Sequence, residues 1–269
     1  TNTTGSSNTA VGRNALYANT TAANNTAVGY VALTANTTGT QNTIVGALAG
    51  DAMTTANSNV AVGYNSLSTN TVAHRNTAIG ENALAAHNVS SAANTYNTAV
   101  GYSAGVDITT GVRQTLIGGL AGDALTTGDN NTAVGYNSLS TMTVGDRNVA
   151  VGVGTLATAN VTSNADTYNT AVGFDAGNDI TTGVQNTIVG GLAGDALSDA
   201  DNNVAVGYAA LTRDTLGSKT VAIGQGVLAN QNFTSATDSF NTAVGYLAGA
   251  EVTTGVQNTL IGGLAGESF

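Results

Sequence analysis

The chain has no cysteine, so disulfides contribute nothing to it and the redox compartment cannot be read from them. Its two histidines, His74 and His87, have no repeated counterparts. With no thiolate beside them, a transition-metal site has almost nothing to bind with. Lysine and arginine number six against sixteen acidic residues, giving a net charge of −10 and a pI near 4.1. That balance argues against nucleic acid, whose phosphates need a basic surface, and against anionic membrane surfaces. No apolar run approaches the length of a membrane span, and no signal peptide opens the chain. Proline is absent and only 8% of residues are charged. Yet β-branched residues recur at regular intervals, which is not a disordered composition. No Gly-x-x-x-x-Gly-Lys-Ser/Thr loop exists, and Gly152-Val153-Gly154 lacks the third glycine of a dinucleotide fingerprint. No Ser/His/acid set stands out, so the sequence offers no catalytic residue and no enzyme reading.

What is present is one sentence repeated. The unit Asn131-Thr132-Ala133-Val134-Gly135-Tyr136-Asn137-Ser138-Leu139 has counterparts starting at 8, 25, 42, 59, 76, 97, 114, 131, 148, 169, 186, 203, 220, 241 and 258. The step is 17 residues, lengthened to 21 at every fourth coil from residue 25 onward. A fixed short period means a repeat architecture, which has no globular size limit. We read 1–269 as one repeat domain with blocks 25–96, 97–168, 169–240 and 241–269. Both termini fall in mid-coil, so the expectation is a piece of a longer fibre.

The motif's fifth residue is always glycine: Gly12, Gly29, Gly46, Gly63, Gly80, Gly101, Gly118, Gly135, Gly152, Gly173, Gly190, Gly207, Gly224, Gly245 and Gly262. Such a column needs a positive φ or a close backbone approach. Position two is Thr or Val, position three mostly Ala, and position four Val or Ile. This is a short β-branched strand ended by glycine, with apolar residues on both faces. One face is covered by the inside of its own coil, and the simplest cover for the other is a second copy of the chain. Twelve residues after the motif start each 17-residue coil carries Thr or Ser, such as Thr109, Thr181 and Thr253, and two residues later Gly or Ala. That half reads as a second short strand or turn. The predicted fold is therefore all-β: a parallel β-solenoid (β-roll) of about fifteen 17-residue coils, with a 21-residue coil every fourth turn. At strand spacing it makes a rod of roughly 70 Å.

Two columns follow from stacking. The first residue is Asn in all copies but Gln114 and Thr220, which predicts a ladder of hydrogen-bonded amides. The sixth is aromatic in alternate coils: Tyr30, Tyr64, Tyr102, Tyr136, Phe174, Tyr208 and Tyr246. Small or polar residues such as Ala47, Glu81, Gly119, Gly191, Gln225 and Gly263 lie between. Packing explains that alternation if a ring covers more than one coil's rise. The functional reading is a carbohydrate-stacking stripe.

The longer coils carry loops that end in Tyr96, Tyr168 and Phe240 and contain Asn88, Asn160 and Asn232 in Asn-x-Ser/Thr patterns. Insertions of this kind map to one face of a solenoid, often the binding face. The pattern is also that of N-glycosylation, though an Asx turn closing the loop is the plainer reading. Asp51, Asp123, Asp195 and Glu267 lie 72 apart, as do Asp107, Asp179 and Glu251. In a three-fold assembly each becomes a ring of carboxylates, and calcium favours oxygen clusters. A calcium-binding nonapeptide is absent, and a solvated acidic face is the plainer reading.

Val221-Ala222-Ile223-Gly224, Thr77-Ala78-Ile79-Gly80, Val60-Ala61-Val62-Gly63 and their twelve counterparts resemble the head repeat of trimeric autotransporter adhesins, the YadA-like heads. Repeats of this type also resemble fibre proteins of phages and predatory bacteria. The resemblance covers nearly the whole chain, although coils are longer here and the four-coil block is a departure. It implies a left-handed parallel β-roll in which three chains share an axis. The expectation is thus an extracellular or virion-surface fibre or adhesin segment, a homotrimer that can continue as a longer filament. It would contact an unknown receptor or glycan through repeated loops, without nucleic acid, cofactor or membrane segment. The alternatives are a carbohydrate-binding solenoid and an ice-binding solenoid. Against ice binding, the column two residues before the Thr is mixed (Ala18, Asp107, Arg213, Glu251), so no Thr-x-Thr plane forms there.

Overall fold

A computed structural model describes residues 2–267. The chain is a parallel β-solenoid of fifteen coils, divided into two compact units, Thr1–Asn131 and Thr132–Phe269. In the first unit seven three-residue strands form the rungs: Thr9–Val11, Thr26–Val28, Thr43–Val45, Val60–Val62, Thr77–Ile79, Thr98–Val100 and Thr115–Ile117. In the second there are eight: Thr132–Val134, Val149–Val151, Thr170–Val172, Thr187–Val189, Val204–Val206, Val221–Ile223, Thr242–Val244 and Thr259–Ile261. Within each unit successive rungs pair in parallel and like stands on like, as in Ala61↔Ala78 and Val204↔Val221. The 21-residue coils keep this register, with Thr77↔Thr98 and Val149↔Thr170 aligned across the longer loop.

Each strand ends because its glycine bends the chain. At these fifteen positions φ lies between 126° and 143°, a region closed to side chains. Space closes it as well: a Cβ on Gly135 would sit 2.3 Å from the carbonyl oxygen of Gly152. Three more corners per coil are left-handed. They fall at motif positions seven and nine and at the residue before the motif, with φ from 48° to 63° even where the residue is not glycine. The half of the coil opposite the rungs contains bends rather than a second strand. Thr109 N–H and Oγ1–H both donate to the Thr126 carbonyl of the next coil, at 2.9 and 3.2 Å. Among the described residues a second β pairing forms only at the longer coils: Ala73–His74 with Ala93–Asn94, Gly145–Asp146 with Ala165–Asp166, and Gly217–Ser218 with Thr237–Asp238.

The core is narrow. Position three points inward and is fully buried in the interior rungs, from Ala27 to Ala243. The Asn column is buried too and forms the expected ladder. Asn186 Nδ2 donates to Ala200 O at 2.8 Å, and Asn186 Oδ1 accepts from Asn203 N at 3.0 Å. At Gln114 the amide still reaches the backbone of the next coil, through Oε1 to Asn131 N. At Thr220 the side chain is too short. The ladder passes through Ser239, whose Oγ lies 2.6 Å from Thr220 Oγ1 and accepts from Asn241 N at 3.2 Å.

The remaining core volume is filled in one of two ways. Coils with Leu at position nine carry Asn19, Asn36, Asn70, His87, Asp214 or Gln231 three residues later, or Met142 or Ala159. Coils with Gly at position nine carry Met53, Ile108, Leu125, Ile180, Leu197 or Val252 instead. The reason is direct: a Cβ on Gly194 would lie 2.8 Å from Leu197 Cδ1 and 3.3 Å from Ile188 Cδ1.

Candidate functional site

With the interior committed to packing, function falls to the outward columns. The first is the outer face of the rungs. Positions two and four point away from the core and are half-buried to exposed, with Ile79, Ile117, Val172, Val189 and Ile223 near two-fifths exposed. Only Thr, Val and Ile occupy these columns, so the face is uncharged and mostly apolar.

The second is the aromatic column. It stands on the turn just past the invariant glycine, and the turn is pinned rung by rung. Leu192 N–H donates to Phe174 O at 2.9 Å and Ala209 N–H donates to Gly191 O at 3.0 Å. The rings are not buried between coils. Tyr30, Tyr64, Tyr102, Tyr136, Phe174, Tyr208 and Tyr246 are 50–58% exposed. Their hydroxyls make no hydrogen bond to any described residue. Packing does not enforce the small residues between them. A Cβ on Gly191 would meet nothing nearer than Tyr208 Cδ2 at 3.7 Å, and Val153 occupies the same position between Tyr136 and Phe174. The alternation is therefore looser than packing alone would demand, since Val153 is tolerated, although the rings are almost half covered and Tyr208 reaches the neighbouring coil. Tyr208 leans back beside Gly191, and the Arg13 guanidinium lies 5.8 Å over the Tyr30 ring.

The third is the edge formed by the longer loops. Asn88, Asn160 and Asn232 are exposed there, as are Tyr96, Tyr168 and Phe240. The Asx-turn expectation is corrected too. Asn88 Oδ1 accepts from Thr71 Oγ1 of the preceding coil at 2.7 Å, and Asn160 and Asn232 accept likewise from Thr143 and Thr215. The loop aromatics are stacked against cations of the preceding coil: Arg75 on Tyr96 at 5.6 Å, Arg147 on Tyr168 at 5.6 Å and Lys219 on Phe240 at 5.3 Å. Arg147 and Lys219 also pair with Asp166 and Asp238. This edge is largely self-satisfied. The sequence reading missed it because it took the aromatics alone, although Arg75, Arg147 and Lys219 recur with the same 72-residue spacing.

The two acidic columns run near each other without forming a metal-holding cluster among the described residues. Burial pushes Asp51, Asp123 and Asp195 above the usual carboxylate range, with nearby Asp107 adding to Asp123 and with Asp179 and Asp175 adding to Asp195. The Thr212 hydroxyl donates to Asp195 Oδ1 at 2.6 Å and works the other way. Among the described residues no group of three or more His, Asp and Glu side chains is placed to hold a metal ion. His74 and His87 are not brought together. His87 is fully buried beside Thr95 and Asn97 of the longer loop, and burial lowers its pKa to about 4. No helix among the described residues is long and apolar enough to cross a membrane.

No family model, curated protein or solved structure matches the chain.

Proposed function

We propose that the chain is a non-enzymatic segment of an extracellular or virion-surface fibre, a stiff stalk or adhesin head that assembles as a homotrimer through the outer faces of its rungs. The observation that carries this reading is the uncharged double column of Thr, Val and Ile. In the second unit its eight rungs present a stripe of roughly 250 Å², taking rungs about 4.8 Å apart and columns two residues apart. The stripe is smaller than the largest apolar patch of an ordinary monomer, so its support for an interface is its unbroken run of uncharged residues along every rung rather than its area. A second copy is the fitting occupant, since a chain of net charge −10 meets its like with least repulsion where neither copy carries charge. Parallel association would also place the loops of 160–168 and 232–240 in repeated sets about 19 Å apart, four coils at strand spacing. Many weak contacts then add as avidity.

Light scattering on a size-exclusion column tests the assembly. From a chain mass of 26.4 kDa a trimer weighs about 79 kDa. A monomer at micromolar concentration would overturn the reading. Charging the stripe with Val172→Glu and Val206→Glu is expected to shift the trimer to monomer while circular dichroism stays that of a β-solenoid.

The ice-binding alternative wants paired threonine columns. The rungs pair Thr with Val or Ile, and the bends pair Thr with a mixed column. We expect no thermal hysteresis.

A further inference from the structure

We infer that the aromatic column is a binding track for an extended, neutral β-1,4-linked glycan lying along the coil axis of each unit, with every second sugar stacked on a ring. The fibre reading above does not require this.

The argument starts from pitch. Rings stand on alternate rungs, so their spacing is roughly 10 Å at strand spacing. In an extended β-1,4-linked pyranose chain alternate sugars are turned over, and the same face recurs once per disaccharide, a length close to that pitch. A ring on every rung would meet alternating faces, whereas a ring on every second rung meets the same face each time. The second unit carries four such rings, Tyr136, Phe174, Tyr208 and Tyr246, and the first carries Tyr30, Tyr64 and Tyr102.

The rings are also prepared for stacking. Their backbone is fixed by hydrogen bonds from rung to rung, so the spacing is set before a ligand arrives. They are a little more than half exposed, which leaves ring surface open to an apolar sugar face. The tyrosine hydroxyls make no hydrogen bond among the described residues, and sugar hydroxyls are fitting partners for them. Gly119 and Gly191 keep the path between rings low, Val153 stands between Tyr136 and Phe174 as an apolar step, and Glu81 and Gln225 add hydrogen-bonding groups. The loop aromatics Tyr96, Tyr168 and Phe240 lack this readiness, because a cation already lies over each, as Arg13 does over Tyr30 at the first ring of the column; among the described residues the other six column rings carry none. Charge selects the class of polymer: a chain of net charge −10 disfavours sulfated or uronate-rich glycans and leaves neutral ones.

The test is retention of the purified chain on microcrystalline cellulose and on chitin, with starch as the α-linked control. Retention on one of the two β-1,4 polymers and not on starch is expected. The variant Y136A/F174A/Y208A should bind at least about tenfold more weakly, a loss of roughly 1.4 kcal/mol, with its circular dichroism unchanged. The loop variant Y168A/F240A should bind as the parent does. A register variant, F174A/G191Y, keeps the number of rings but moves one by a single rung, and it should bind no better than F174A alone. No retention on either β-1,4 polymer, equal retention on starch, or parental binding by the ring-deleted or register variant would each overturn the inference. Light scattering of the same samples reports the assembly separately, so loss of glycan binding and loss of the trimer are distinguishable.

Discussion

At the scale of single residues the fold rests on backbone angles. All the rung glycines but Gly262 combine φ near 135° with a neighbour's carbonyl where a Cβ would stand. Gly135→Ala and Gly207→Ala are therefore expected to cost at least about 3 kcal/mol each, from strain and displaced rungs together, read as a fall in the urea midpoint. The glycine column was legible because only glycine tolerates such a site. The left-handed corners at Leu67, Leu139 and Leu211 were not. Leucine seldom adopts that conformation, so nothing in its identity announces it; it is held there by burial of the side chain in the narrow core. His87 was legible only as a residue without counterparts, and its consequence is a pH dependence. Its folded pKa of about 4 lies below the ordinary 6.5, so the unfolded chain takes up the proton first. Its contribution is complete above pH 6.5 and is lost as pH falls toward 4, a span worth about 3 kcal/mol. The raised carboxyls of Asp51, Asp123 and Asp195 work in the opposite sense, since their protonation favours the folded chain. Comparison with His87→Gln isolates the histidine, because Gln231 already occupies the same column two blocks on. Urea titrations at pH 7.5 and 4.5 should show the parent losing more stability than the variant, and equal losses would refute the assignment.

At the scale of the coil, two devices hold the solenoid. The asparagine ladder was foreseen from the column alone, because stacked amides one rung apart have few other partners. Asn186→Ala would leave both Ala200 O and Asn203 N without their partner in a buried site. A loss of about 2–6 kcal/mol is expected in chemical denaturation, at 1–3 kcal/mol for each orphaned group. The second device, exchange of core volume between positions nine and twelve, is written in the sequence but not within any single column. It emerges when Gly194 is read with Leu197 and Leu67 with Asn70, and the structure supplies the distance that couples them. Gly194→Leu alone should destabilise by about 1–3 kcal/mol through overpacking. The triple I188A/G194L/L197N rebuilds the set Ala61, Leu67 and Asn70, in which Asn70 Nδ2 donates to Ala73 O at 3.0 Å. Recovery to within about 1 kcal/mol of the parent is expected, and additive losses in the triple would show that the two fillings are not interchangeable.

At the scale of the molecule, the 72-residue block rather than the coil is the unit that fits its neighbours. Contacts in a solenoid run only between adjacent coils, so a deletion is judged by the junction it creates. Removing 169–240 joins Tyr168 to Asn241, a junction equivalent to the existing Tyr168–Asn169 and Phe240–Asn241. Every column then meets its usual neighbour: aromatic alternates with non-aromatic, and glycine coils follow leucine coils. Removing the single coil 186–202 leaves the rungs in register but brings the coils of Phe174 and Tyr208 together, with rings about 4.8 Å apart. It also deletes Ile188, whose Cδ1 lies 3.0 Å from where a Cβ on Gly177 would stand, so the space beside that glycine is left unfilled. A cavity of that kind costs about 2–5 kcal/mol. The block deletion should therefore unfold in urea at a midpoint close to the parent's, and the shorter coil deletion at a lower one, although it removes less of the chain. If the order were reversed, stability would follow the number of coils rather than the match between them, and the block would be a record of duplication without a packing role.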